Sequence, residues 1–266
     1  MVIPNGMNLS KPLALNVPPP EKYDPPVREG ELIPPKFERP KGKLSLYSGC
    51  DDNIRAGQPR VLDAATATLA DLERFFGTIR NSTTMGARSE SGHPSWPNKT
   101  DDRKVPESAS MAGEHGFSGS GLPENFKLTL GANQEFMPPL NINKRANNGA
   151  TELSWQSVSG ARGYFISAVG IGDSKSSGKD ELDMIIWTSS QMLELGFALP
   201  DYQTNGSIDK WISAPAVLGA STTSCTVPKG IFGETAGGGA DGFVRAVAYG
   251  NEAFFSYPPQ VASANV

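Results

Sequence analysis

Few residues of this chain could carry chemistry. Only two histidines, His93 and His115, occur in 266 residues. A nucleophile–histidine–acid triad needs one of them beside a serine or cysteine, with an acid to orient the ring. His93 stands in a Gly/Pro-rich stretch and His115 on an expected strand, and no Gly-x-Ser-x-Gly elbow occurs. Both histidines therefore read as packing or surface residues. Asp51-Asp52-Asn53 could offer hard oxygens to calcium, but adjacent acids in a turn are ordinarily just solvated. The run Asp173 to Asp183 has Gly178 where an EF-hand loop wants glycine. Lys175 and Met184 then occupy ligand positions, which excludes it. Gly237-Gly238-Gly239 lacks the Lys and Ser/Thr of a phosphate loop and reads as a hairpin tip. Paired carboxylates for glycoside hydrolysis come from distant strands, so spacing nominates none; Glu114 and Asp201 qualify only as any acid would. No catalytic residue, metal ligand or cofactor is assigned.

Three aromatic rings and two cysteines remain. Trp96, Tyr202 and Trp211 fall in expected loops or in an insert, where a flat ring can stack on a sugar or a partner side chain. The bland alternative is that they cap the ends of the fold. Cys50 and Cys225 belong to no Cys-x-x-Cys pair. Two readings stay open for them: buried free thiols, or one disulfide between the two halves of the chain, formed in an oxidising compartment.

Composition limits the elements that could position these residues. The chain has 29 glycines, 22 prolines and a hydrophobic fraction of 38%. That suits a turn-rich β protein with real cores. The net charge is −4 and no basic stripe runs along any segment, which argues against nucleic acid. No apolar run approaches the roughly 20 residues needed to span a bilayer. Met1-Val2-Ile3-Pro4 has neither a basic nor an apolar leader region. A cytoplasmic protein and a chain that follows a removed signal both fit.

Residues 1–42 hold ten of the prolines. Proline fixes φ and lacks an N–H, so this stretch is expected as an extended arm rather than helix or central strand. Its aliphatic residues have no purpose in a solvated linker. Leu9, Leu13, Leu15, Val17, Ile33 and Phe37 are therefore expected to anchor the arm on another surface.

Residues 43–146 read as a small mostly-β domain with one helix. Leu44 and Leu46 alternate with Ser45 and Tyr47 as a strand does, and Gln58–Leu62 reads as a second strand. Thr68 with Asp71 three residues on makes a helix start, with Leu69, Leu72, Phe75, Phe76 and Ile79 on one face. Strand-like stretches return at Gly113–Ser118, Phe126–Leu130 and Pro139–Asn143. From Asn147-Asn148-Gly149 the strand pattern strengthens. Expected strands include Tyr164–Val169, Met184–Trp187, Thr222–Val227, Phe243–Tyr249 and Ala253–Tyr257. Between them, 189–214 reads as a helical insert, with Ser189–Phe197 as one helix and Ser207 capping a second.

Residues 147–266 resemble a fibronectin type III domain. Leu153-Ser154-Trp155, Gly160-Ala161 and Gly163-Tyr164-Phe165-Ile166 are similar to its second and third strands, whose Trp and Tyr pack together. Phe243–Tyr249 and Ala253–Pro258 look like its last two. The whole chain is also similar to a group of secreted proteins of Gram-negative bacteria that have no assigned activity. The likeness runs through Lys41 to Cys50, Gly57-Gln58-Pro59, Asp183 to Ser189 and Val227 to Phe232. That resemblance implies an extracellular or periplasmic location and, by extension, a Cys50–Cys225 bridge.

The expected fold is mainly β: two antiparallel, sandwich-like domains with a few short helices, preceded by a Pro-rich arm. The expected role is a non-enzymatic subunit that forms homo-oligomers or polymers through the arm. A glycan-binding module built on Trp96, Tyr202 and Trp211 is the second expectation. The third is a hydrolase with its site in the helical insert.

Overall fold

The computed structural model describes residues 1–9, 12–17, 41–77, 93–171, 183–232 and 242–257. The expected anchors Ile33 and Phe37, the acids at 173–182 and the Gly237-Gly238-Gly239 tip lie outside the described residues. The fold is mainly β with few short helices. The described residues fall into two compact units. Residues 1–9, 12–17, 93–137 and 251–257 belong to the first; 41–77, 138–171, 183–232 and 242–250 belong to the second. These units cut across the expected boundaries after residues 42 and 146. The reason is pairing: strands from 43–63 join a sheet built mostly from the C-terminal half.

The second unit contains strands β1 (Lys43–Ser48) and β2 (Arg60–Asp63) and helix α1 (Leu69–Phe76). It continues with β5 (Asn143–Asn147), β6 (Ala150–Ser154), β7 (Gly163–Ile171) and β8 (Met184–Thr188). Helix α2 (Asn205–Ser213) and strands β9 (Leu218–Gly219), β10 (Ser224–Val227) and β11 (Phe243–Tyr249) complete it. One sheet runs β11-β7-β8-β1-β2, with β9 beside β7; the other runs β10-β6-β5. The pairings are antiparallel except β1 with β8, which is parallel, with Leu44 beside Met184 and Ser48 beside Thr188. That departs from the expected all-antiparallel arrangement, because β1 enters the sheet from 140 residues upstream and not through a hairpin.

Strand β7 organises this unit. Its even positions Tyr164, Ile166 and Ala168 are buried. The Tyr164 ring meets Trp155 edge-on with centroids 5.4 Å apart, and its hydroxyl accepts from Val158 N–H at 2.9 Å. Its odd position Phe165 packs with Leu199, Ile208, Trp211, Ala216, Val217 and Tyr249. Leu46, Leu62, Phe75, Ile186 and Leu195 form a separate cluster around α1. Burying such side chains stabilises by about 1.5–3 kcal/mol each before entropy is counted.

Local chemistry corrects several expectations. α1 starts at Thr68 in a reciprocal capping box with Asp71 and stops at Gly77. Ile79 of its expected apolar face lies outside the described residues; among the others only Phe75 is fully buried, and Leu69 is 72% exposed. Ser189–Phe197 is not helical. Ser190 Oγ accepts from Met192 N–H at 3.1 Å, and such side-chain bonds compete with helix. Gly196 adopts φ +72, a conformation that suits glycine, and an added Cβ would fall 2.5 Å from Phe165. α2 is capped by Thr204, whose side chain accepts from Ser207 N–H; Ser207 itself lies inside the helix. Pro139–Leu140 precede β5 without pairing, and Ala253–Tyr257 forms no strand.

The first unit contains β3 (Gly113–Gly116) and β4 (Lys127–Leu130), paired antiparallel. Stacked rings extend the pair: Phe117 and Phe126 lie 5.0 Å apart, and Phe126 and Tyr257 5.0 Å apart. No described helix is long and apolar enough to cross a membrane.

Candidate functional site

The site that best rewards scrutiny is the seat of the N-terminal segment in the first unit. Residues 1–9 and 12–17 lie against residues 93–116, and main-chain groups carry most of the contact. Val2 and Gly116 exchange N–H···O bonds of 2.7 and 2.9 Å, so Val2 bridges to β3. On the other side of this segment, Leu13 N–H donates to Met1 O at 2.8 Å and the Met1 nitrogen donates to Leu13 O at 2.7 Å. A short 3-10 turn, Asn5–Met7, ends at Asn8 in the left-handed region with φ 54. Ser110 N–H reaches back to Gly6 O at 2.8 Å. Met7 and Leu13 are buried at 4% and 2% exposure.

Side chains of the seat are committed to the segment's backbone. Asp101 Oδ2 accepts from Ala14 N–H at 3.2 Å, and Asn98 Nδ2 donates to Ala14 O at 2.6 Å. Arg103 donates to Pro12 O at 3.1 Å while its guanidinium grips Asp101 through bonds of 2.7 and 2.8 Å. Asn16 Nδ2 donates to Thr100 Oγ1 at 2.7 Å, and Asn8 Nδ2 to Ser108 O at 3.1 Å. The Arg103 bond, helped by Ala14 N–H, holds the Asp101 carboxyl well below the ordinary carboxylate range. The same bond pushes the Arg103 guanidinium up. Beneath the seat, Glu135 accepts from Ser110 Oγ, Met111 N–H, Phe136 N–H and Ala112 N–H. Those bonds bring its carboxyl down to about 2, the Ser110 bond contributing most. Gly113 is required here: its φ is +129 and a Cβ would meet Pro4 Cβ at 2.8 Å.

The seat changes how the expected anchors are understood. Leu13 is buried against its own chain, and Leu9 and Leu15 are half-buried. Val17 is 52% exposed. Residues 1–9 and 12–17 lie against residues of their own chain, with main-chain groups of Val2, Gly6, Pro12, Ala14 and Asn16 bonded to residues 95–116. Sequence reasoning missed Asn98, Asp101 and Arg103. Their signal was an Asn/Asp/Arg cluster in a polar loop, which spacing alone does not tie to residues 84–91 positions away.

The other candidates are placed as follows. Trp211 is 7% exposed, its Nε1 donates to Gln203 Oε1 at 3.3 Å, and Lys210 Nζ sits 4.8 Å from the ring centroid. It is a core residue and not a stacking platform, because α2 turns its apolar face onto β7. Tyr202 is 43% exposed and belongs to the second unit; Trp96 is half-buried and belongs to the first. Asp51 is ion-paired with Arg55, which supplies locally the positive charge a calcium ion would bring. His115 is buried with Nε2 2.8 Å from Met111 O, and His93 is exposed. Among the described residues no three His, Cys, Asp or Glu side chains gather as a metal site.

Cys50 and Cys225 are bonded, with Cα atoms 4.8 Å apart and 175 residues between them in sequence. The bond ties the turn after β1 to β10, and so joins the two sheets of the second unit. Around it Trp187 Nε1 donates to Gly49 O at 3.0 Å, Gly49 N–H to Thr188 O at 3.0 Å and Lys229 N–H to Asp52 O at 3.1 Å. Comparison with protein-family models, curated proteins and solved structures finds no match to this chain.

Proposed function

We propose that this protein is a secreted, non-enzymatic assembly subunit whose N-terminal segment is exchanged between copies. The seat at 93–116 holds residues 1–9 and 12–17 of its own chain, and a neighbour's identical segment would satisfy the same bonds. Exchange of an identical element is a low-cost route to oligomers, since the contacts made in one copy are remade in the next. The observation that carries this reading is the commitment of Asn98, Asp101 and Arg103 to the backbone of residues 12–14. Backbone recognition of an extended segment does not depend on which copy supplies it. Residues 18–40 connect the segment to residue 41 of the second unit, and 23 residues can reach at most on the order of 80 Å.

The Cys50–Cys225 bond supports an oxidising, extracellular or periplasmic setting. The antiparallel sheets β10-β6-β5 and β11-β7-β8, with Trp155 against Tyr164, support the fibronectin III-like reading of the second unit.

The test is a cross-link between Asn16→Cys and Thr100→Cys, mixed with differently sized copies and oxidised. Exchange predicts covalent species that join two sizes. Deleting residues 1–17 should then abolish the corresponding oligomers in light scattering. Intramolecular cross-links alone, at every concentration, would sink the proposal.

A further inference from the structure

The large sheet of the second unit ends in β2 on one side and β11 on the other, and the small sheet ends in β5 and β10. Natural sheets blunt their edges with charge, short strands or tethers, because an unpaired edge recruits other strands. Three of these four edges follow that rule. β2 is four residues long and carries Arg60 and Asp63. β5 carries Lys144 and Arg145 and is exposed along its whole length. β10 has four residues and is fastened by the Cys225 disulfide. β11 does not follow it. Its seven residues, Phe-Val-Arg-Ala-Val-Ala-Tyr, hold one charge and no proline. Among the described residues no strand pairs with its outer side, since Ala253–Tyr257, the strand expected there, belongs to the first unit instead. The end of this edge is also apolar. Phe243 is 77% exposed next to its paired residue Val169 at 38%, and Ile171 is 70% exposed beside Met184.

We infer that β11 pairs antiparallel with β11 of a second copy, joining two large sheets across a two-fold axis at Ala246. The strand's own sequence supports this occupant. In the symmetric register Phe243 lies opposite Tyr249, Val244 opposite Ala248, Arg245 opposite Val247, and the small Ala246 opposite itself. The only charge therefore meets a valine and not its own copy, and the exposed Phe243 ring comes to lie over the strand end at Tyr249, itself packed in the core. Such cross-strand pairs are the unit of sheet stability. An interface of this kind is isologous and closes as a dimer. It does not rest on exchange of the N-terminal segment.

The test is sedimentation of the full chain with variants at the two edges of the large sheet. The wild type should form a reversible dimer. Phe243→Glu replaces two symmetry-related apolar contacts by charges and should weaken the dimer about tenfold. Val61→Glu, at an exposed position on β2, should leave it unchanged. Ala246→Cys introduces the one unpaired thiol beside an existing disulfide, and oxidation should yield a covalent dimer. That cross-link decides the matter if Phe243→Glu fails to fold by circular dichroism. Deleting residues 1–17 should leave the β11 dimer intact, which separates this interface from segment exchange. A wild type that stays monomeric at high micromolar concentration overturns the inference. So does a monomer whose β11 amides resist hydrogen exchange, because the edge is then covered within one chain.

Discussion

The two units of this molecule are held by different kinds of force. The second is built on buried aromatic and aliphatic side chains, from Phe165 and Trp187 to Leu46 and Ile186, and is closed by a covalent bond. Among the described residues the first buries Met7, Leu13, Leu130 and His115 and is joined by hydrogen bonds to an extended segment. Hydrophobic burial is non-directional and demands shape, so it fixes one arrangement of one chain. Main-chain bonds to an extended segment demand only a segment, so they permit replacement. The contrast separates a unit packed on side chains from one joined largely through main-chain bonds, and the proposed exchange would act on the second.

Breaking the unit packed on side chains should produce the largest effect. Cys50→Ser with Cys225→Ser opens a loop of 175 residues, and the chain-entropy model assigns such a cross-link about 5 kcal/mol. The melting transition reported by tryptophan fluorescence should fall steeply, while exchange at the seat should not change. Phe165→Ala leaves a cavity under α2 and should cost about 4 kcal/mol in denaturant titration. In the first unit, Leu13→Ala should loosen the seated segment by about 3 kcal/mol. Faster proteolysis near residues 1–17, with the thermal midpoint of the second unit unmoved, is the expected readout. Gly113→Ala forces a Cβ onto Pro4 in a left-handed backbone, a cost of about 1–3 kcal/mol that should appear in the same assay. If Leu13→Ala or Gly113→Ala lowers both midpoints together, the separation of the two units fails.

The gentlest probe is acid. The folded Glu135 carboxyl is depressed from 4.5 to about 2, and that of Asp101 is lowered too. A depressed carboxylate contributes stability that is present above its unfolded value and is lost as pH falls through the folded one. Amides of the seat should therefore gain hydrogen-exchange rate as pH drops from about 4.5 toward 2, after correction for intrinsic exchange. A flat protection profile through that window would remove Glu135 from the account.

Some of this was legible in the sequence because it is local. Alternation in Tyr164–Val169 and in Phe243–Tyr249 marks strands, although β7 proves to be buried on both faces at Tyr164 and Phe165. The Thr68–Asp71 box marks a helix start for the same reason. What was not legible depends on distant partners. Nothing near Leu44 says that it lies parallel to Met184, and nothing near Asp101 says that it binds Ala14. Trp211 looked available because a helical insert on a sandwich looks like a surface. Its burial depends on β7 offering Phe165 to α2. Of the aliphatic residues among the N-terminal prolines Leu13 is buried and Val17 is exposed, a difference that the sequence does not show.

The parallel alliance of β1 with β8 also sets a timetable for the nascent chain. Lys43–Ser48 leaves the ribosome about 140 residues ahead of the strand it must lie beside. At bacterial or eukaryotic elongation speeds that is a wait of roughly ten to thirty seconds. Cys50 waits longer still, until its partner sulfur is made 175 residues later. Throughout this interval β1 can pair only with β2, which follows it closely in the chain, and its other edge stays open until β8 is made.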